Sequence, residues 1–183
     1  MIVIGIDPGT ANTGFGVIRM SGGRMVALDG GVIETDPESR LERRLAKLHE
    51  TLGELVRWHE PKAMALEELF FGKNVASALS VGEARGVALL AAANEGLPCF
   101  DYTPQAVKKA VCGSGSADKE QIQRMVGSLL GLPEAPSPNH AADAFAVAIC
   151  HAGTVGSRTA ASHFGQRRAG TTPALATRQR LAG

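Results

Sequence analysis

Apolar and polar positions along this chain follow two different periods, and the switch between them marks out the elements. "IVIGID" at residues 2–7 predicts a short buried strand that ends in the turn "PGTANTG". "FGVIRM" at 15–20 predicts a second strand, and "SGGR" a tight reversal into a third over about residues 25–35. Between 38 and 59 the period lengthens. Leu41, Leu45, Leu48, Leu52 and Leu55 form one apolar stripe of an amphipathic helix, closed by Pro61. "AMALEE" at 63–68 is a fourth strand, apolar until its acidic end. An alanine-rich helix follows from about 74 to 94, stopped by "EGLP". "CFDYT" at 99–103 is a fifth strand, Pro104 opens a short helix, "GSGS" breaks it, and a further helix covers about 118–130. After the loop "GLPEAPSPN", the run "HAADAFAVAICHA" at 140–152 reads as a last helix.

Three strands in a meander are thus followed by helices alternating with single strands, an order that argues for parallel pairing in the second half. The expected architecture is α/β, a mixed five-stranded sheet with helices on both faces. At 183 residues the chain suits one domain of ordinary size. The expected division is a folded domain over 1–153 and a basic tail over 154–183. That tail is rich in Gly, Ser, Thr, Ala and Arg and is expected to be disordered.

Charge sharpens this division. Residues 154–183 hold five arginines and no acid, so the other 153 residues carry 14 of the 19 basic side chains and all 18 acids, a net of about −4. An acidic body with a basic tail does not suit binding through a uniformly positive surface. It suits a nucleic-acid enzyme whose acids are gathered at metal ions. Cys99, Cys112 and Cys150 show no metal-ligand spacing and read as reduced thiols. With an aspartate reached by residue 7 and no apolar run of 18 residues, neither a signal peptide nor a membrane span is expected, and the location expected is the cytoplasm.

Three acids stand where apolar segments end or begin. Asp7 terminates the first strand, Glu67 the fourth, and Asp143 lies on the last helix, three residues after His140 and on the same helical face. Strand alternation puts Asp7 on one face with Val3 and Gly5, and Glu67 with Ala63 and Ala65, small residues that leave room for something to approach. Taken singly, Asp7 fits a turn that caps nearby N–H groups, and Glu67 a strand end reaching water. Taken together, oxygen donors from two strands and a helix are what hard divalent cations require. Two such ions can activate a water and stabilise a leaving oxygen in phosphodiester cleavage.

The segments "GIDPGTANTGFGVI", "ALEELFFGKNVASAL", "GEARGVALLAA", "VKKAVCGSGSADK" and "NHAADAFAVAICH", in order from residue 2 to about 152, resemble the RuvC family of bacterial Holliday-junction resolvases. The resemblance implies an RNase H-like fold, a homodimer, and paired metal-dependent nicks in opposing strands of a four-way DNA junction. The ends left would be 5′-phosphate and 3′-hydroxyl. Asp7, Glu67 and Asp143 match three of four family carboxylates. The fourth position, commonly aspartate, is His140 here, a nitrogen ligand that points to Mn²⁺ over Mg²⁺ among the two divalent ions expected per subunit. A branch-migration complex of the RuvA–RuvB type is the implied protein partner.

The same resemblance assigns Phe70 to stacking on an unpaired base at the junction centre. Lys73 and Asn74 in that loop could hold phosphates. Lys108 and Lys119 match family lysines near the active centre, suited to phosphate contact, and Lys119 also to stabilising charge in catalysis. Gly82 and Gly86, four apart on an alanine-rich helix, are costly there and read as a close-packed surface, which the resemblance makes a dimer interface. Three rivals stand beside this reading, one of them the short RNase H-like relatives of uncertain nuclease function, which lack the FF loop and the glycine-paired helix as written here. "DPGT" resembles the phosphate loop of actin-like ATPases, but those need two such domains around a nucleotide. The last is a catalytically weak junction-binding protein of the same fold, which the histidine at 140 favours.

Overall fold

A computed structural model describes residues 1–68 and 75–168, with side chains at 1–68 and 78–156. Five strands form one sheet in the order β3-β2-β1-β4-β5. The strands are β1 (Ile2–Asp7), β2 (Asn12–Ser21), β3 (Arg24–Glu34), β4 (Ala63–Glu67) and β5 (Cys99–Tyr102). The meander β1-β2-β3 is antiparallel, whereas β4 lies parallel to β1, and β5 parallel to β4. The mixed sheet expected from the element order is therefore present. β2 begins at Asn12, earlier than its apolar run predicts, because its ladder with β3 continues until Asn12 pairs with Glu34.

Helices cover both faces. α1 (Leu41–His59) and α2 (Val75–Asn94) pack on one side, where Ile4, Ile6, Met64 and Leu66 meet Leu48, Leu52 and Val56 of α1 and the alanines 84, 88, 91 and 92 of α2. On the other side, α3 (Pro104–Cys112), α4 (Lys119–Leu130) and α5 (Asn139–Arg168) enclose Val3, Ile18, Val107, Val126, Phe145 and Ile149. Full burial of each large aliphatic side chain contributes roughly 1.5–3 kcal/mol, so these two layers hold the sheet between them.

The helix ends are set by local chemistry. Thr103 caps α3 by accepting from the Ala106 amide, and Asp118 caps α4 by accepting from the Gln121 amide, with Gly113 and Gly131 closing the two helices in the left-handed region. α5 does not end near residue 153. It runs through Arg168, so the division expected between 153 and 154 falls inside a helix whose first half is buried on the sheet.

Candidate active site

The site begins with glycines. A Cβ on Gly5 would collide with the Ala144 carbonyl, one on Gly14 with the His140 carbonyl, and ones on Gly16 and Gly30 with the Phe145 ring. With hydrogen in those places, the backbone of α5 settles directly onto β1 and β2. The room expected beside Asp7 is real, and its occupant is this helix. Gly14 pairs with Asp7 across the β1–β2 ladder, so the helix turn carrying His140 and Asp143 lands over the end of β1.

There, His140 Nδ1 meets Asp7 Oδ2 at 2.7 Å, and Lys119 Nζ donates to Asp143 Oδ2 at 3.3 Å. An ionised Asp7 only accepts, so the shared proton belongs on Nδ1 and Nε2 is the ring nitrogen left to a ligand. Lys119 is the first residue of α4, directed here by the Asp118 cap behind it. Glu67 ends β4, the strand beside β1. Lys108 of α3 is near enough for its charge to act on Glu67.

The acids repel one another in a half-dry setting. Burial is the main cause that raises the pKa of Asp7 above the ordinary carboxylate value, and Asp143 raises it further, while the His140 hydrogen bond and the charges of His140 and Lys119 oppose this. Glu67 is raised by burial first, then by Asp7 and Asp143, with Lys108 opposing. Such a set favours a cation of high charge and oxygen preference. Among the described residues, no three His, Cys, Asp or Glu side chains are already closed into a metal cage. What the fold assembles is an open set of donors whose mutual repulsion a divalent ion would relieve, and the donor chemistry fits such an ion.

Asp7, Glu67, His140, Asp143, Lys108 and Lys119 thus share one end of the sheet. Phe70, Lys73 and Asn74 lie outside the described residues. Among the described residues, nothing stands near where a Cβ would sit on Gly82 or Gly86 of α2. Glu68 is exposed and its amide joins β5. His151 is buried against Tyr102, whose hydroxyl lies 2.7 Å from its Nδ1, so it takes no part. Sequence reasoning missed Arg85, which reaches the Glu67 carbonyl, and Thr10, which reaches Ser80. "GEARG" drew attention only to its glycines. The arginine's partner is set by tertiary packing and leaves no local signal.

Comparison with known proteins follows the same residues. The family model described as crossover junction endodeoxyribonuclease RuvC matches residues 3–151. A crossover junction endodeoxyribonuclease RuvC of Desulforamulus reducens is 53% identical over 152 residues, spanning 83% of this chain and 93% of that protein. The structure of Thermus thermophilus RuvC superposes with a TM-score of 0.81 at 40% identity, over 87% of this chain and 98% of that one. The same enzyme in complex with Holliday junction substrate gives 0.83 at 40% identity, over 87% and 97%. The fold is therefore RNase H-like, as the resemblance implied, and with a match across nearly the whole described sheet and its helices the chain belongs to the RuvC family.

Proposed function

We propose that this protein is a structure-selective endonuclease that resolves four-way DNA junctions in homologous recombination and repair. It hydrolyses one phosphodiester in each of two opposing strands, leaving 5′-phosphate and 3′-hydroxyl ends. The observation that carries this reading is the meeting of Asp7, His140 and Asp143 at the end of the strand beside Glu67, in a chain of this family. The Thermus thermophilus relative bound to Holliday junction substrate supports the choice of DNA.

The RuvC family is divalent-metal dependent. Asp7, Glu67, Asp143 and His140 are the residues that would hold two ions per subunit, with Mn²⁺ favoured over Mg²⁺ by the imidazole. Divalent ions bound there supply activation of water and stabilisation of the leaving oxygen. Lys119, held at Asp143, and Lys108, beside Glu67, are the cations that meet DNA phosphates. Phe70 stacks on a base at the junction centre, with Lys73 and Asn74 on the backbone.

The protein acts as a homodimer in the cytoplasm, with a RuvA–RuvB type complex delivering the junction. In support of the dimer, Leu79 and Leu90 are 64% and 54% exposed, and they share one stripe of α2 with the uncovered Gly82 and Gly86. A second copy on that stripe would present two sites to a two-fold substrate. Among the described residues, no helix is long and apolar enough to cross a membrane. The test is cleavage of a synthetic four-way junction in Mg²⁺ or Mn²⁺, with Asp7→Asn as control. Cutting by the parent alone supports the proposal, and binding without cutting by the parent supports the rival junction-binding reading.

A further inference from the structure

α2 has an inner face as well as an open one. Arg85 leaves the helix between Gly82 and Gly86, and its side chain is only 13% exposed. Its Nη1 donates to the peptide oxygen of Glu67 at 3.0 Å, and its Nη2 to Asp101 Oδ1 at 2.5 Å. Asp101 lies on β5, where it pairs with Leu66, the residue before Glu67. One guanidinium therefore ties the last residue of β4 and the neighbouring strand to the same helix. Less than two turns earlier, Ser80 shares a hydrogen bond with Thr10 in the turn that follows Asp7, and the Thr10 carbonyl accepts from Thr35. α2 grips both strand ends that deliver acids, from the side opposite α5.

That grip answers a mechanical need. Pairing between β1 and β4 stops at Ile6 and Leu66, so Glu67 has no ladder partner on the β1 side. Its carboxylate is repelled by Asp7 and Asp143, the push that like charges exert on one another. A planar fork with two hydrogen bonds resists that push in direction as well as distance, which an alkyl side chain or a lone ammonium does not.

We infer that Arg85 is a positioning residue for the cleavage reaction: by holding the Glu67 carbonyl, it fixes the backbone from which the Glu67 carboxylate enters the acidic cluster. The inference rests on reading Glu67 as a metal-holding carboxylate. Arg85 touches no reacting atom, and acts through the residue it holds. Supporting groups of this kind change metal affinity or activity by about 10–100-fold when removed.

The experiment uses the full-length protein and its Arg85→Ala, Arg85→Lys, Asp101→Asn and Glu67→Gln variants. Single-turnover cleavage of a synthetic four-way junction is followed across a Mg²⁺ titration, alongside junction affinity without divalent metal and thermal unfolding. Arg85→Ala is expected to cut about 10–100-fold more slowly and to need more Mg²⁺ for half-maximal rate, at unchanged junction affinity. Arg85→Lys recovers part of the rate, and Asp101→Asn loses less than Arg85→Ala. A parental rate and Mg²⁺ response in Arg85→Ala overturns the inference. So does a rate that falls only in step with the folded fraction. If Arg85→Ala fails to fold, parental Mg²⁺ responses in both Arg85→Lys and Asp101→Asn overturn it instead. Glu67→Gln separates the two levels. An inactive Glu67→Gln beside a parental Arg85→Ala removes the role of Arg85 alone, whereas an active Glu67→Gln removes the reading of Glu67 and the role of Arg85 with it.

Discussion

α5 and α2 lie on opposite faces of one sheet and use glycine in opposite ways. Under α5 the glycines belong to the strands. Gly5, Gly14, Gly16 and Gly30 give up their side chains so that the helix backbone and Phe145 can lie against the sheet. On α2 the glycines belong to the helix and look outward, and among the described residues no atom outside their own stretch of helix lies within 4 Å of where a Cβ would stand at Gly82 or Gly86. The first arrangement is closed, and it delivers His140 and Asp143 to Asp7. The second is open, and it is the surface proposed above to take a second copy of the chain. The same residue type marks a packed contact in one region and an open surface in the other, and only the neighbours tell them apart.

The contrast breaks most sharply by substitution. Gly14→Val forces the His140 carbonyl off the sheet, and overpacking of this kind costs about 1–3 kcal/mol, more where backbone must move. Chemical denaturation should show a loss at the upper end of that range, with junction cleavage lost too. Gly86→Leu meets open space and replaces a poor helix former by a good one, a gain of roughly 0.8–1 kcal/mol in a helix. Its monomer should therefore fold at least as well as the parent. Sedimentation should nonetheless show dissociation if the open stripe carries the dimer. A Gly86→Leu protein that stays dimeric would remove α2 as the interface and leave the fold account untouched.

A smaller effect separates stability from function within the closed region. The pKa values of Asp7 and Glu67 are raised in the fold, so the folded protein binds more protons than the unfolded chain between the ordinary and raised values. The metal-free protein should gain stability as pH falls through that window, and carry the full cost of both charges above it. Asp7→Asn removes one such cost. In chelator at neutral pH it should melt above the parent, and added Mn²⁺ should stabilise it less than it stabilises the parent. A lower melting temperature in chelator would mean that the His140 hydrogen bond outweighs the desolvation of Asp7.

The smallest effect concerns His140, which stands where the family resemblance implies an aspartate. His140→Asp restores an oxygen donor, and the ratio of Mn²⁺-supported to Mg²⁺-supported cleavage should narrow. An unchanged ratio in both His140→Asp and His140→Ala would make His140 a partner of Asp7 and not a metal ligand.

Much of this was legible in the chain. Strand alternation alone assigns Asp7 to the face of Val3 and Gly5, and that face lies under α5, with Ile4 and Ile6 on the α1–α2 side. Helical spacing alone put His140 and Asp143 on one face. What the chain hid follows from how each signal arises. Gly14 and Gly30 are silent in a hydrophobic pattern, so neither the early start of β2 nor the seat of Phe145 could be read from it. Arg85 looks like any polar residue on a helix until the Glu67 carbonyl stands beside it. The last helix runs past Gly153 and Gly156 to Arg168, because a helix propagates at little cost once its first turns are anchored on a sheet. Phe70 falls outside the described residues, and its stacking role is the one that the family resemblance implies.

The central claim is that Asp7 and Glu67 serve metal-dependent cutting of a four-way junction and not its binding. The most direct measurement is single-turnover cleavage of a synthetic junction by the parent, Asp7→Asn and Glu67→Gln in Mn²⁺, with junction affinity measured on the same preparations. Loss of several kcal/mol of charge stabilisation predicts that both variants cut at least about 1000-fold more slowly while affinity is retained, and that chelator abolishes cutting by the parent. Cutting by Asp7→Asn at the parental rate, or parental cutting that persists in chelator, would contradict the account.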